Sequence, residues 1–242
     1  MNSGLGHPYN PHVSADAPRR PARHPRGTTS SVRREPRWQA AIAAVAVACL
    51  SIALAPGLSI GPAWLFPAVV AVLLAPTAVL HRVGRHRIDH WLGWTVTAVV
   101  TVEVVMAVIR LVAALPSHQE SPKALLMSAA AIWIANLLVF ALWYWRLDAG
   151  GPHIRDTRVS HTAGAFLFPQ MLLTPEARTA MGLNEWSPTF VDYLFLAFNT
   201  STAFSPTDTA AVARWGKALM MLQSAISLTV LALLAARAVN MF

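Results

Sequence analysis

Ser187-Pro188-Thr189-Phe190-Val191-Asp192-Tyr193-Leu194-Phe195-Leu196-Ala197-Phe198-Asn199-Thr200-Ser201-Thr202-Ala203-Phe204-Ser205-Pro206-Thr207-Asp208 is the stretch whose reading decides the fold. An apolar, aromatic segment runs into four small polar residues, and an apolar run of membrane length, 218–236, follows. Ser187-Pro188 and Ser205-Pro206 each place a capping serine before a proline suited to the first helical position. Asp208, three residues after Ser205, completes a capping box. Two helix starts are therefore expected. The first helix, Pro188 to about Phe204, rises about 25 Å, short for a crossing and ample for a helix that enters half-way. Either it crosses, or it re-enters from the face it came from.

Outward from that stretch, composition sets the class. The 242 residues are 55% hydrophobic and 12% charged, too apolar for a soluble domain, and several runs approach membrane length. The expected fold is all-α, a polytopic transmembrane helix bundle of about six spans, or five plus a re-entrant pore-like helix. Its partner is the lipid bilayer, and its place a bacterial inner membrane.

The net charge of +8 is not a nucleic-acid signature, because seven arginines crowd into the first 37 residues: Arg19, Arg20, Arg23, Arg26, Arg33, Arg34 and Arg37. Beside an apolar span such a cluster marks the cytoplasmic side and can hold anionic lipid headgroups. No nucleic-acid partner is expected. Residues 1–37, rich in Pro, Arg, Ser and Gly, bury too little to offset the entropy of ordering and read as a disordered tail.

Residues 38–146 hold four spans. The first, Trp38 to Leu54, ends in Ala53-Leu54-Ala55, which also fits a signal-peptidase site loosely; a retained first helix is the simpler reading. The second, Ala63 to Leu80, contains Pro67 and Pro76, which should bend it. A basic loop, His81 to His90, follows. His86 and His90 have the i, i+4 spacing of two metal ligands, but no third ligand is fixed relative to them, and no metal or other cofactor is expected. The third span, from about Trp91 or Trp94 to Leu115, carries Glu103 and Arg110. Seven residues apart, they share a helix face, and charges at that depth need a partner or water. Either they serve function at that depth, or they are a structural pair that pins this helix to a neighbour through Asn136 or Gln223. The fourth span, Lys123 to Trp145, closes on the aromatic belt Trp143-Tyr144-Trp145-Arg146.

Residues 147–186 are too charged to span and form a cytoplasmic or interfacial segment, with an interfacial helix expected over Ala163–Leu173. Residues 187–242 form a C-terminal membrane hairpin. With the N-terminus cytoplasmic, the inside receives the tail arginines, Arg82, Arg85, Arg87, Arg146, Arg155, Arg158 and Arg178, and the outside keeps Lys123. That asymmetry sets the orientation. It also favours Pro188–Phe204 as a short crossing, which returns Arg237 to the inside.

Asp192 to Asp208, the later Met-Leu-Gln-Ser and Ala-Arg-Ala-Val-Asn, Asn136–Pro152 and Phe166–Gln170 resemble a family of bacterial multi-spanning membrane proteins defined by a domain of unknown function. More distantly, the hairpin is similar to the pore of two-helix potassium channels, where an aromatic pore helix leads into Thr-Val-Gly-Tyr-Gly-Asp. Aligned on the threonine, this chain has Thr202-Ala203-Phe204-Ser205-Pro206-Thr207-Asp208. It lacks both filter glycines, and Pro206 fixes a torsion and removes a donor, so potassium selectivity is not implied.

Two functions stay open. In one, Asn199, Thr200, Ser201, Thr202 and Gln223 form a polar corner that satisfies itself between helices, in a structural or partner-binding subunit. In the other, they line a non-potassium-selective pore in a channel- or transporter-like homo-oligomer. An enzyme is not expected: the chain has no His-Glu-x-x-His, no phosphate-binding glycine loop and no Gly-x-Ser-x-Gly.

Overall fold

The structure, a computed structural model, describes residues 35–59, 61–83, 86–114, 121–156, 164–202 and 208–239. The arginine-rich residues 1–34 and the Ser205-Pro206 pair lie outside the described residues. So do the side chains of His81, His86 and His90.

Among the described residues eight α-helices follow in order: α1 Trp38–Ile52, α2 Leu65–Val83, α3 His86–Ala114, α4 Pro122–Leu147, α5 Pro152–Arg155, α6 Pro175–Ala180, α7 Phe190–Thr202 and α8 Arg214–Val239. Three stretches among the described residues are long and apolar enough to cross a membrane: Trp91–Ala114, Pro122–Gly150 and Arg214–Ala236. Two shorter apolar helices, Trp38–Ile52 and Leu65–Pro76, accompany them.

Which side chains face out supports a lipid solvent. α1 buries Ala40, Ala43, Ala44, Val47, Ala48 and Ser51 and turns Trp38, Ile42, Val45 and Ile52 outward. α3 likewise exposes Val102, Val105, Ile109 and Val112 along one stripe. Small residues inside let helix backbones approach closely, and large apolar ones outside are stable only against hydrocarbon.

α4 is the hub, packed against α1, α3, α7 and α8. Ser121 caps it by accepting from the Ala124 N–H at 3.2 Å, with Pro122 at its first position. In α2, Pro76 lies inside the helix and Pro67 in its first turn, where a missing N–H costs nothing.

The two ends of α4 name the two faces of the bundle, the Lys123 face and the Arg146 face. α1 begins at the Arg146 face, where the Glu35 N–H donates to Asp156 at 2.9 Å. It ends at the other, where the Ala55 N–H donates to the Ser128 hydroxyl at 2.9 Å. α3 runs the same way: Trp94 stacks edge-on to Trp143 at 5.6 Å, and Leu111 packs in one cluster with Leu125.

α7 also starts at the Arg146 face. Phe190 lies against Trp145 at 6.1 Å, and Phe198, eight residues on, against Trp133 at 6.4 Å. α8 takes the same direction, from Trp215 beside Phe166 through Gln223 on Tyr144 and Ser227 on Asn136 to Val230 near Leu125 and Ile132. α7 and α8 are therefore parallel. An α7 that crossed from face to face, with α8 returning beside it, would make them antiparallel. The seven residues between Thr202 and Ala210 link a point deep in the bundle back to the Arg146 face.

A two-rung antiparallel ladder holds that return. Phe166 pairs with Ala211 and Leu167 with Ala210, and the Val212 N–H donates to the Ala165 carbonyl at 2.8 Å. The fold is all-α apart from this ladder, and in place of the interfacial helix expected over Ala163–Leu173 the described residues form the ladder and a single 3₁₀ turn, Pro169–Met171. The reason is local. Phe166 and Phe168 are buried on alternate positions, a strand pattern, and Pro169 cannot continue a ladder or a helix begun before it.

Both helix starts also shift. α7 begins at Phe190 because Thr189 and Asp192 form the capping box: the Asp192 carboxylate accepts from the Thr189 N–H at 2.7 Å and its hydroxyl at 3.0 Å. α8 begins at Arg214, beyond the ladder.

Candidate functional site

The polar corner read from the sequence divides into two parts. Thr200 and Ser201 face the bundle and are buried, and Gln223 on α8 is shut away completely. The Gln223 amide donates to the Ala197 carbonyl at 2.8 Å and to the Ser201 hydroxyl at 2.6 Å, while its oxygen accepts from the Tyr144 hydroxyl at 2.6 Å. One residue on, Ser224 donates to the Thr200 carbonyl at 3.1 Å, and Thr200 donates to the Leu196 carbonyl at 2.8 Å. This is a closed seam that binds α4, α7 and α8 together. Its polar atoms satisfy one another, as buried polar groups must.

Asn199 and Thr202 belong to the other part. Both are half-buried on the flank of α7 beside the exposed Phe195 and Phe198. Thr202 donates back to the Phe198 and Asn199 carbonyls at 3.2 and 3.1 Å, and the Asn199 side chain has no hydrogen bond among the described residues. Spaced i, i+4 and i+7, Val191, Phe195 and Phe198 form one stripe that is largely exposed among the described residues, with the half-buried Thr202 at i+11. At its end stand the last carbonyls of α7, carrying the negative end of the helix dipole.

Asn136 lies further along α4. Its amide donates to the Ser227 hydroxyl at 2.9 Å, and its own oxygen is buried without a partner. It does not meet Glu103 or Arg110, nor does Gln223. Those two share a face of α3 about 10 Å apart along the axis, without a direct ion-pair contact, and the Arg110 charge still acts on the Glu103 carboxyl. Arg110 donates to the Ser59 carbonyl at the Lys123 face. Glu103 is buried against α1 and α4, in a crevice beside Ser51, Leu54 and Ala135. Among the described residues the ion pairs in contact are Arg37 with Asp156 at 3.5 Å and Arg155 with Glu35 at 2.8 Å.

No family model, curated protein or solved structure matches the chain.

The second of those ion pairs belongs to a cluster that the sequence did not reveal. Arg155 is buried, donates to the Trp145 and Asp148 carbonyls at 2.8 Å each, and lies over the rings of Trp145 and Tyr193. Glu35 accepts from Arg155 and from the Trp145 indole N–H. Asp148, fully buried, accepts from the Tyr193 hydroxyl at 2.7 Å and from the Ala165 N–H. Burial pushes the Glu35 carboxyl above the usual carboxylate range, against the pull of Arg155. The cluster thus clasps the residue before α1 to the end of α4, the ladder and α7. Its visible signal is an aspartate directly after the aromatic belt and before Gly150-Gly151, a buried acid at a tight turn.

That turn is sharp. Ala149, Gly150 and Gly151 all take positive φ, and a Cβ on Gly151 would lie 2.7 Å from the Arg146 carbonyl. Among the described residues no group of three His, Cys, Asp or Glu is placed to hold a metal.

Proposed function

We propose that this is a multi-pass membrane protein with five crossings, α1 to α4 and α8, and one re-entrant helix, α7, and that α4, α7 and α8 form a pore module assembling as a homo-oligomer. The observation that carries the reading is the parallel course of α7 and α8 from the Arg146 face. α7 rises about 20 Å over its 13 residues and stops inside a hydrocarbon layer of about 30 Å.

Charge supports placing the Arg146 face in the cytoplasm. That face holds Arg37, Arg146, Arg155, Arg178, Arg214 and Lys217, and the ends of α2 and α3 that carry Arg82 and Arg87; Lys123 and Arg110 lie toward the other. Arg237, near the end of α8, then lies on the outer side.

Physical chemistry supports an oligomer. A helix end at half depth leaves carbonyls that hydrocarbon cannot satisfy, so it must face protein or water. The largely exposed stripe ending at Asn199 and Thr202 supplies that face when copies surround a common axis. Only 17% of the α8 span is buried within one chain, against 67% of the α4 span, which leaves α8 free to line or flank the axis. Carbonyls and the negative helix end favour a cation. Thr200, Ser201 and Gln223 hold the module together, and Asn199 and Thr202 are its lining residues.

The test is conductance of the purified full-length chain in planar bilayers. Cation-selective steps whose ion preference shifts in N199A and T202A support the pore. A folded oligomer that stays silent overturns it and leaves a structural subunit.

A further inference from the structure

Glu103 stands at the middle of a membrane-length helix. Twelve residues after Trp91 and eleven before Ala114, it lies about 17 Å from either end of that span. An ionised side chain at such depth is costly unless it is paired or faces water.

Its surroundings are apolar. Glu103 is 6% exposed and sits in the crevice where α1, α3 and α4 meet, among Leu50, Leu54, Ile132 and Ala135. Among the described residues no hydrogen bond and no ion-pair contact reaches its carboxyl. Ser51 is the other polar side chain in the lining, and its hydroxyl proton goes to the Ala48 carbonyl at 2.7 Å. It therefore has lone pairs to offer and no proton. Such a neighbour can accept from a carboxylic acid and gives nothing to a carboxylate.

Charged and titratable groups near the crevice are few. On α3 the nearest in sequence is Arg110, two turns away and about 10 Å along the axis; its charge acts on Glu103, while its guanidinium donates to the Ser59 carbonyl. On α1 the titratable group is the exposed Cys49, and on α4 they are Lys123, Tyr144 and Arg146, toward its two ends. One carboxyl and one hydroxyl are too few oxygens for a metal ion. The ligand that suits this crevice is a proton.

We propose that Glu103 is a proton-binding site in the middle of the membrane, a carboxyl held as its acid in a crevice that opens sideways to hydrocarbon and admits a lipid-soluble carbodiimide. The half-buried Leu50 and Leu54 give that opening an apolar wall. Modification requires the acid form. The carboxyl proton moves to one carbodiimide nitrogen, the carboxyl oxygen bonds to the central carbon, and an oxygen-to-nitrogen acyl shift leaves a stable N-acylurea that keeps every atom of the reagent. The site rests on the membrane placement of the chain and not on a pore: a protein that conducts nothing leaves it standing.

The experiment is infrared spectroscopy of the full-length chain in lipid nanodiscs at neutral pH, joined to carbodiimide labelling. Wild type minus E103Q should show the carbonyl-stretch band of one protonated carboxyl, and the same difference should persist in an E35Q and in an R110Q background. Dicyclohexylcarbodiimide should leave one adduct per chain on Glu103, read by peptide mass spectrometry and lost in E103Q, whereas a water-soluble cationic carbodiimide should leave that residue unmodified. E103Q is the neutral isostere of the acid and should melt at the wild-type temperature. A missing Glu103-dependent acid band, a band that appears only with R110Q, or an E103Q chain that fails to fold overturns the proton site and makes Glu103 the ionised counter-charge of Arg110. An acid band without the dicyclohexylcarbodiimide adduct overturns the opening to lipid.

Discussion

Gln223 on α8 donates its side-chain amide to the Ser201 hydroxyl on α7 at 2.6 Å, and both residues are buried. Because the same amide also reaches the Ala197 carbonyl at 2.8 Å, one side chain fixes the depth and direction of two helices relative to each other.

Removing it should loosen the module. Q223L leaves the Tyr144 and Ser201 hydroxyls without their partner, and an unsatisfied buried polar group costs about 1–3 kcal/mol. S201A removes one bond and should cost less. In a double-mutant cycle read by thermal unfolding in detergent, the pair should couple by about 0.6 kcal/mol, the mean for hydrogen bonds between membrane helices. Strictly additive losses would mean that the bond contributes nothing to holding α7 on α8.

The buried clasp has a pH signature. Glu35 titrates above its ordinary value, so its contribution to stability is complete below the unfolded-state pKa of 4.5 and is lost as pH rises through the folded-state value. Replacing Arg155 strengthens that trend, because the carboxylate is then buried alone. R155L should cost about 3–5 kcal/mol at neutral pH, and less on acidification, when Glu35 takes up a proton and needs no counter-charge. E35Q/R155L should lack the pH dependence. Melting curves of both variants between acid and neutral pH decide it, and an R155L that is most stable at neutral pH contradicts the assignment.

The turn after α4 gives a third expectation. Gly151 has φ 88° and its missing Cβ faces the Arg146 carbonyl. G151A should therefore lower stability by about 1–3 kcal/mol, the scale of forced backbone strain, whereas G182A, where a Cβ meets nothing within 4 Å, should lose less despite a φ of 69°. Chemical unfolding of the two variants measures the difference.

The long apolar helices were legible because composition and length alone define them. The third span was expected from about Trp91 or Trp94 to Leu115 and lies over Trp91–Ala114; the fourth was expected over Lys123–Trp145 and α4 covers Pro122–Leu147. The direction of α7 was not legible. A helix of 13 residues can cross or turn back with the same sequence, and its course is set by Phe166 pairing with Ala211 from outside the stretch. Charge counting weighed loops without knowing that Arg214 and Lys217 start from the Arg146 face.

The site was legible in part for a similar reason. Thr200, Ser201 and Gln223 stand out as polar residues in apolar helices, so their meeting could be expected. Glu103 and Arg110 share a face by spacing, yet two helical turns separate them, and the Arg110 guanidinium reaches the Ser59 carbonyl. Glu35 and Arg155 are 120 residues apart, with no local pattern linking them.

Sidedness on either flank of α7 tests the central claim most directly. In a Cys49→Ala background, E185C lies before α7 and V212C after it, both at exposed positions. Labelled with a membrane-impermeant maleimide on intact cells and on inverted vesicles, the two should react from one and the same side, with S121C reacting from the other. Glu185→Cys and Val212→Cys labelled from opposite sides would show that α7 crosses the membrane, and the re-entrant module would be wrong.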